Sequence, residues 1–176
     1  MHIDENLKAK IKDIRLLVLD VDGVLTDGKL YYGPNGSEIK AFNTLDGHGI
    51  KLLQRTGVGV AIITGRSSEQ VSRRAEALGI RHVIQGREDK FTALQELLAQ
   101  NPLPLEQVAM MGDDWPDLHA MLQVGLALTV PNAHIEVRQR AHWQSQSSGG
   151  FGAVREACDL ILLAQGNYMS CLAQFI

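Results

Sequence analysis

Five short apolar runs punctuate the chain, and stretches with helical periodicity separate them. The runs are Leu16–Leu19, Val58–Thr64, His82–Gln85, Val108–Met111 and Val124–Leu128. Their length suits strands, and their unbroken apolar character marks strands covered on both faces. Between them, Ser67–Leu78 opens with Ser67 and Gln70 at capping-box spacing and closes at Gly79, which predicts a helix. Glu88–Gln100 places Phe91, Leu94, Leu97 and Leu98 on one helical face, and Asn101-Pro102-Leu103-Pro104 ends it. Further helices are predicted from near Asn132 and over Ala153–Ala164. This alternation predicts an α/β fold, a Rossmann-like, doubly wound sheet that is mainly parallel.

The pattern changes between Thr26 and Phe42. Two extended stretches flank Gly33-Pro34-Asn35-Gly36, so a β-hairpin is expected directly after the first strand. Gln144–Gly152 (QSQSSGGFG) reads as a flexible loop. Gln165–Ile176 reads either as a last turn with a tail or as an arm reaching another subunit.

Composition narrows the picture. The chain has 176 residues, enough for one domain spanning 1–176 with a full core. A net charge of -3 gives no reason to expect nucleic acid or a membrane surface as partner. No apolar run is long enough to span a bilayer. The opening MHIDENLKAKIKD is charged and polar, so no secretory signal is expected. Cys158 and Cys171 lack metal-type spacing and suit free thiols in a reducing cytosol. A cytoplasmic location follows as an expectation.

The candidate chemistry lies where the strands end. Open parallel sheets bind ligands at the carboxyl ends of their strands. The first predicted strand ends in Asp20-Val21-Asp22, the second in Thr64-Gly65-Arg66, and the fourth in Gly112-Asp113-Asp114. Lys90 stands near the start of the helix after Gly86-Arg87. Carboxylates gathered this closely repel unless a cation neutralises them, and an all-oxygen donor set favours Mg2+. A metal, a hydroxyl, backbone amides and a lysine together make a phosphate site. Asp20, straight off the strand, is the candidate nucleophile for an aspartyl-phosphate. Asp22, two residues on, is placed to protonate a leaving alkoxide and then to activate water.

Four pieces resemble the haloacid dehalogenase superfamily, and they occur in that family's order: Asp20-Val21-Asp22-Gly23-Val24-Leu25-Thr26, Ile63-Thr64-Gly65, Lys90, and Gly112-Asp113-Asp114-Trp115-Pro116-Asp117. The resemblance implies that Asp20 is the nucleophile and Asp22 the acid/base. It implies that Thr64, Gly65 and Lys90 bind phosphate. Asp20, the Asp22 carbonyl and Asp113 would hold Mg2+, with Asp114 and Asp117 in support. The intervals between the motifs leave no room for a cap domain. The hairpin, Phe42–Lys51 and Gly149–Glu156 further resemble the 3-deoxy-D-manno-octulosonate 8-phosphate phosphatases. That resemblance implies a phosphorylated sugar acid as substrate, hydrolysed to the free acid and phosphate in lipopolysaccharide precursor synthesis. It also implies a homotetramer whose active sites lie at subunit interfaces. The fourth motif departs from the family pattern at Trp115-Pro116, where an apolar pair is usual.

Other readings compete at single residues. Asp-Gly pairs favour turns, and a lone Lys90 would read as a surface lysine. A calcium loop fails because Val24 stands where an oxygen ligand is needed. Arg66 is a candidate for the substrate carboxylate through a bidentate pair, against a plain surface arginine. His48, flanked by Gly47 and Gly49, is a candidate substrate contact in a glycine-rich loop. A nine-carbon N-acylneuraminate 9-phosphate is the alternative substrate. A phosphate-accepting receiver domain is disfavoured, since the second and third predicted strands end without an aspartate.

Overall fold

Leu16–Leu19 (β1) is apolar at every position and buried at every position, so it forms the centre of a sheet. The computed structural model describes residues 4–176. Six strands build the main sheet: β1, then β4 (Gly59–Ile63), β5 (His82–Ile84), β6 (Val108–Met111), β7 (Leu126–Thr129) and β8 (Trp143–Gln144). The short pair β2 (Tyr31–Tyr32) and β3 (Glu38–Ile39) stands apart as an antiparallel hairpin. The sheet order is β5-β4-β1-β6-β7-β8, and every neighbouring pair is parallel. The chain runs outward from β1 to β5 and then returns to β6 on the other side. The order therefore reverses between β1 and β6, the position where doubly wound sheets open a crevice.

The helices are α1 (Glu5–Lys12), α2 (Thr44–Arg55), α3 (Glu69–Leu78), α4 (Lys90–Gln100), α5 (Trp115–Gln123), α6 (Ile135–Arg138), α7 (Ala153–Ala164) and α8 (Tyr168–Leu172). α1 and α2 both pack on α7, and α4 packs on α5. Each layer buries an apolar stripe against the sheet. Asp46 of α2 ties one layer together, because its Oδ1 accepts the Arg155 N–H at the start of α7, 2.8 Å away. Gly79 closes α3 in the left-handed conformation at φ 72°, as expected of a C-terminal glycine.

Several boundaries differ from the sequence expectations. α3 starts at Glu69 with Ser68 as its cap residue, so the Ser67–Gln70 capping box does not form. The Ser68 backbone N–H instead donates to Gln85 Oε1 at 2.8 Å. α4 begins at Lys90 because Asp89 caps it, accepting the Thr92 N–H at 3.1 Å. The helix expected near Asn132 is the four-residue α6, capped by His134. α1 and the edge strand β8 were not anticipated, because both are short and polar. The final stretch folds back as α8, and Phe175 meets His48 with ring centroids 5.3 Å apart.

The segment expected to be a flexible loop, 144–152, is pinned at both ends. The Gly150 N–H donates to Val24 O at 3.0 Å. The Gly149 N–H donates to Asn132 Oδ1 at 2.8 Å, and Asn132 Nδ2 donates onward to Gly23 O at 3.2 Å. These bonds clamp the loop onto the turn that follows β1. A Cβ on Gly149 would lie 1.7 Å from Gly23 O, a clash with backbone that nothing nearby can relieve. Gly149→Ala is therefore expected to destabilise the fold by about 2–3 kcal/mol and to lower activity, read as a drop in melting temperature alongside turnover. An unchanged melting temperature would contradict the clamp.

Candidate active site

At the end of β1 the backbone turns sharply through Val21–Leu25, closed by the Thr26 N–H donating to Val21 O at 3.0 Å. Gly23 stands in this turn at φ 97°, a conformation that other residues adopt only with strain. Its Cα also faces Asp113, whose Oδ2 lies 2.0 Å from the place a Cβ would occupy. Glycine thus lets the first motif approach the fourth. The turn delivers Asp20 and Asp22 to the β1/β6 crevice, and the end of β6 delivers Asp113 beside them.

Asp20 is buried, and its Oδ1 lies 2.7 Å from Lys90 Nζ. Lys90 Nζ is also 2.5 Å from Asp117 Oδ1. Asp117 is fully engaged, since its Oδ2 accepts the N–H groups of Asp113 and Asp114 at 3.0 and 3.1 Å. Asp114 caps α5 by accepting the Trp115 N–H at 2.8 Å, in a capping box with Asp117. Asp114 and Asp117 therefore brace the site, with Lys90 held between two acids.

The electrostatics call for more positive charge. One ligand oxygen from each of Asp20, Asp113 and Asp117 lies within 4.8 Å of the other two. Burial, then the nearby Asp117 charge, raises the Asp20 carboxyl above its ordinary value despite Lys90. Burial, then the charges of Asp20 and Asp117, raises Asp113 further. Burial pushes the Lys90 ammonium down, yet Asp20 and Asp117 carry it above the usual lysine value. Three carboxylates against one ammonium leave a formal excess of two negative charges, which one divalent cation offsets. The all-oxygen donor set suits a hard ion such as Mg2+. Asp20 and Asp113 fit as its ligands, while the oxygens of Asp117 already have partners.

A cleft of about 390 Å³ opens over this cluster. Asp20, Asp22, Thr64, Gly65, Arg66, Lys90, Asp113, Asp114 and Asp117 all line it, joined by Gly28, Glu88 and Pro116. Of the residues singled out in the sequence, His48 alone lies elsewhere. It belongs to α2 and not to a loop, because Asn43 caps that helix ahead of the glycines. His48 lines a separate pocket of about 170 Å³ with Phe175, Tyr168 and Arg155. Two residues that the sequence reading passed over reach the cleft's rim from the hairpin. Glu38 lies 2.7 Å from Arg66, and Lys40 donates to Asp22. The signal was present as alternating charges at positions 38 and 40, which a strand's period of two places on one side.

A profile of the haloacid dehalogenase-like hydrolases matches residues 82–157. The 3-deoxy-D-manno-octulosonate 8-phosphate phosphatase of Yersinia pestis is 48% identical over 163 residues, covering 93% of this chain and 87% of its own. The chain belongs to this phosphatase family. A crystal structure of the Moraxella catarrhalis phosphatase of the same name, in complex with magnesium, phosphate and KDO, is 44% identical. It superposes with a TM-score of 0.96 and covers 99% of this chain and 100% of that one. A probable yrbI family phosphatase from Pseudomonas syringae is 53% identical with a TM-score of 0.96, each chain covered over 98%. Between β1 and α2 this chain inserts only the hairpin β2–β3, and no cap domain stands among the described residues.

The raised carboxyls have a measurable consequence. A group that holds its proton more tightly when folded stabilises the fold at low pH, and that contribution is lost as pH rises through the folded value. Without divalent cation, thermal stability should therefore fall from pH 5 to pH 8. Millimolar Mg2+ should restore most of it at pH 8, and Asp113→Asn should flatten the metal-free slope. Identical pH profiles with and without Mg2+ would contradict this electrostatic account.

Proposed function

We propose that this chain is a Mg2+-dependent phosphomonoesterase that hydrolyses 3-deoxy-D-manno-octulosonate 8-phosphate to the free sugar acid and phosphate. The observation that carries the reading is the buried Asp20–Lys90–Asp117 triad beside Asp113, open to a cleft that Asp22 lines, in a chain of this family.

In this reading Asp20 attacks phosphorus in line, and the bond from phosphorus to the sugar oxygen breaks. Asp22 gives its proton to the departing alkoxide. The phosphoryl group now sits on Asp20 as an acyl phosphate. A water then attacks phosphorus while Asp22 takes one of its protons, which frees phosphate and regenerates Asp20. Thr64 and the N–H groups that follow it receive phosphoryl oxygens, and Lys90 offsets their charge. Asp20, Asp113 and the Asp22 carbonyl would hold Mg2+. When bound, that ion supplies positive charge to the phosphoryl oxygens. Arg66, half-exposed at the rim and paired there with Glu38, would turn its guanidinium to the substrate's carboxylate.

A homotetramer completes the reading, with a neighbour's hairpin closing each site. Leu30, Tyr31, Tyr32 and Ile39 of the hairpin and nearby Phe151 are all exposed, more apolar surface than a two-stranded hairpin keeps facing water without a partner. A cytosolic location agrees with the two buried free thiols, Cys158 and Cys171. Among the described residues, no helix is long and apolar enough to cross a membrane.

Phosphate release is the direct test. With Mg2+ the eight-carbon acid phosphate should be strongly preferred over N-acetylneuraminate 9-phosphate and an aryl phosphate, and chelator should abolish release. Asp20→Asn should lower turnover by at least about 10⁴-fold with an unchanged circular dichroism spectrum. Preference for the nine-carbon acid would overturn the substrate, and retained turnover in Asp20→Asn would overturn the nucleophile. Sedimentation should give four copies, and Tyr32→Glu should shift the protein toward smaller species. A monomeric wild type would overturn closure by neighbours.

A further inference from the structure

Lys40 leaves the hairpin two residues after Glu38, so both side chains project toward the rim of the cleft. The Lys40 side chain is only 2% exposed. Lysines normally keep the ammonium in water and bury only the stem, so a covered ammonium needs partners. Lys40 has two. Its Nζ donates to Asp22 Oδ1 and lies 3.6 Å from Glu38 Oε1. Arg66 closes the circuit, with Nη2 2.7 Å from the same Glu38 oxygen and Nε 3.7 Å from Asp22 Oδ2. Two acids and two bases thus alternate in a ring, and Asp22 is the member to which the proposed reaction gives a proton-transfer role.

The ring matters because of how Asp22 is otherwise held. Asp20 and Asp117 are fixed by burial and by Lys90, and Asp117 also accepts two backbone N–H groups. Asp22 follows the strand into the turn, and among the described contacts no backbone N–H donates to its carboxylate. Its orientation rests on the ring alone. Arg66 is about half-exposed and free to swing to a substrate carboxylate. The Lys40 side chain is covered, and its ammonium is held by both acids of the ring. An ordinary surface pair such as Arg73–Glu69, both more than two-thirds exposed, carries no such constraint.

We propose that Lys40 is a positioning residue for the acid–base step, fixing the Asp22 carboxylate toward the leaving oxygen of the substrate. The inference rests on the acid/base role proposed for Asp22. Glu38 supports it by holding Lys40 from the far side. A general acid works only within hydrogen-bond reach of the atom it protonates, and misplacement by about 1 Å costs on the order of 100-fold.

The test separates this from a structural or substrate-binding role by varying the leaving group. Phenyl phosphate releases a basic phenolate that gains from protonation, whereas 4-nitrophenyl phosphate releases a stable anion that does not. Neither carries a carboxylate. Lys40→Met, with Mg2+ present, should lower kcat/KM for phenyl phosphate about 10- to 100-fold and for 4-nitrophenyl phosphate by less than about 3-fold. It should also give a burst of nitrophenolate, because Asp22 then activates water poorly. Asp22→Asn, run alongside, should show the same split more strongly. Equal losses on the two esters, or no loss on either, would overturn the role of Lys40 while Asp22→Asn still shows the split. No split in Asp22→Asn would overturn the acid–base role itself and this inference with it. Should Lys40→Met fail to fold by circular dichroism, Lys40→Gln, which keeps a hydrogen-bond donor without the charge, carries the same comparison.

Discussion

Lys90 Nζ lies between Asp20 and Asp117 at the floor of the cleft, where all three side chains are largely withdrawn from water. Unpaired, each buried charge would cost several kcal/mol. Together with Asp113 they form a cluster that is internally braced yet still short of positive charge. Much of the surrounding fold serves this arrangement. β1 and β6 run side by side so that their ends bring Asp20 and Asp113 together. α4 begins at Lys90, and α5 begins after Asp114, so the lysine and the bracing carboxylates come from the first turns of two packed helices. Gly23 keeps the first turn low enough for Asp113 to fit. The remaining deficit of charge is what makes the cluster a site for a cation and a phosphoryl group, and not only an internal ion pair.

The parallel sheet was legible because its strands are continuous apolar runs, and the acids were legible because they stand at the ends of those runs. Asp20, Asp22, Thr64, Lys90 and Asp113 could be placed on one edge from topology alone. What stayed hidden was local or distant in sequence. The Ser67–Gln70 pattern looked like a cap, but Gln85 from the next strand claims the Ser68 N–H and moves the helix start. The QSQSSGGFG stretch has the composition of a mobile loop, yet Asn132 and the Gly23 carbonyl hold it. Composition cannot report bonds made by partners elsewhere in the chain. His48 looked like a loop residue because glycines flank it, while the Asn43 cap and the apolar stripe of α2 decide for helix.

The hairpin joins two demands. Outward, it presents Tyr31, Tyr32 and Ile39 to solvent, a surface suited to a neighbouring copy. Inward, its returning strand sets Glu38 and Lys40 against Arg66 and Asp22. In a phosphatase without a cap, one small insertion can therefore contribute both to closing the cleft and to orienting the acid/base. The proposed dual use fits the make-up of so short an element, which carries four charged or aromatic side chains in the ten residues from Tyr31 to Lys40.

The central claim is that the carboxylate held by Lys90 becomes the phosphorylated group. Its most direct measurement is rapid acid quench during turnover with Mg2+, followed by peptide mass spectrometry. The account predicts a phosphoryl group on the peptide bearing Asp20, at that residue, accumulating further when Asp22 is replaced by Asn. Turnover with no phosphorylated peptide in either protein, or phosphate on a different side chain, would contradict it.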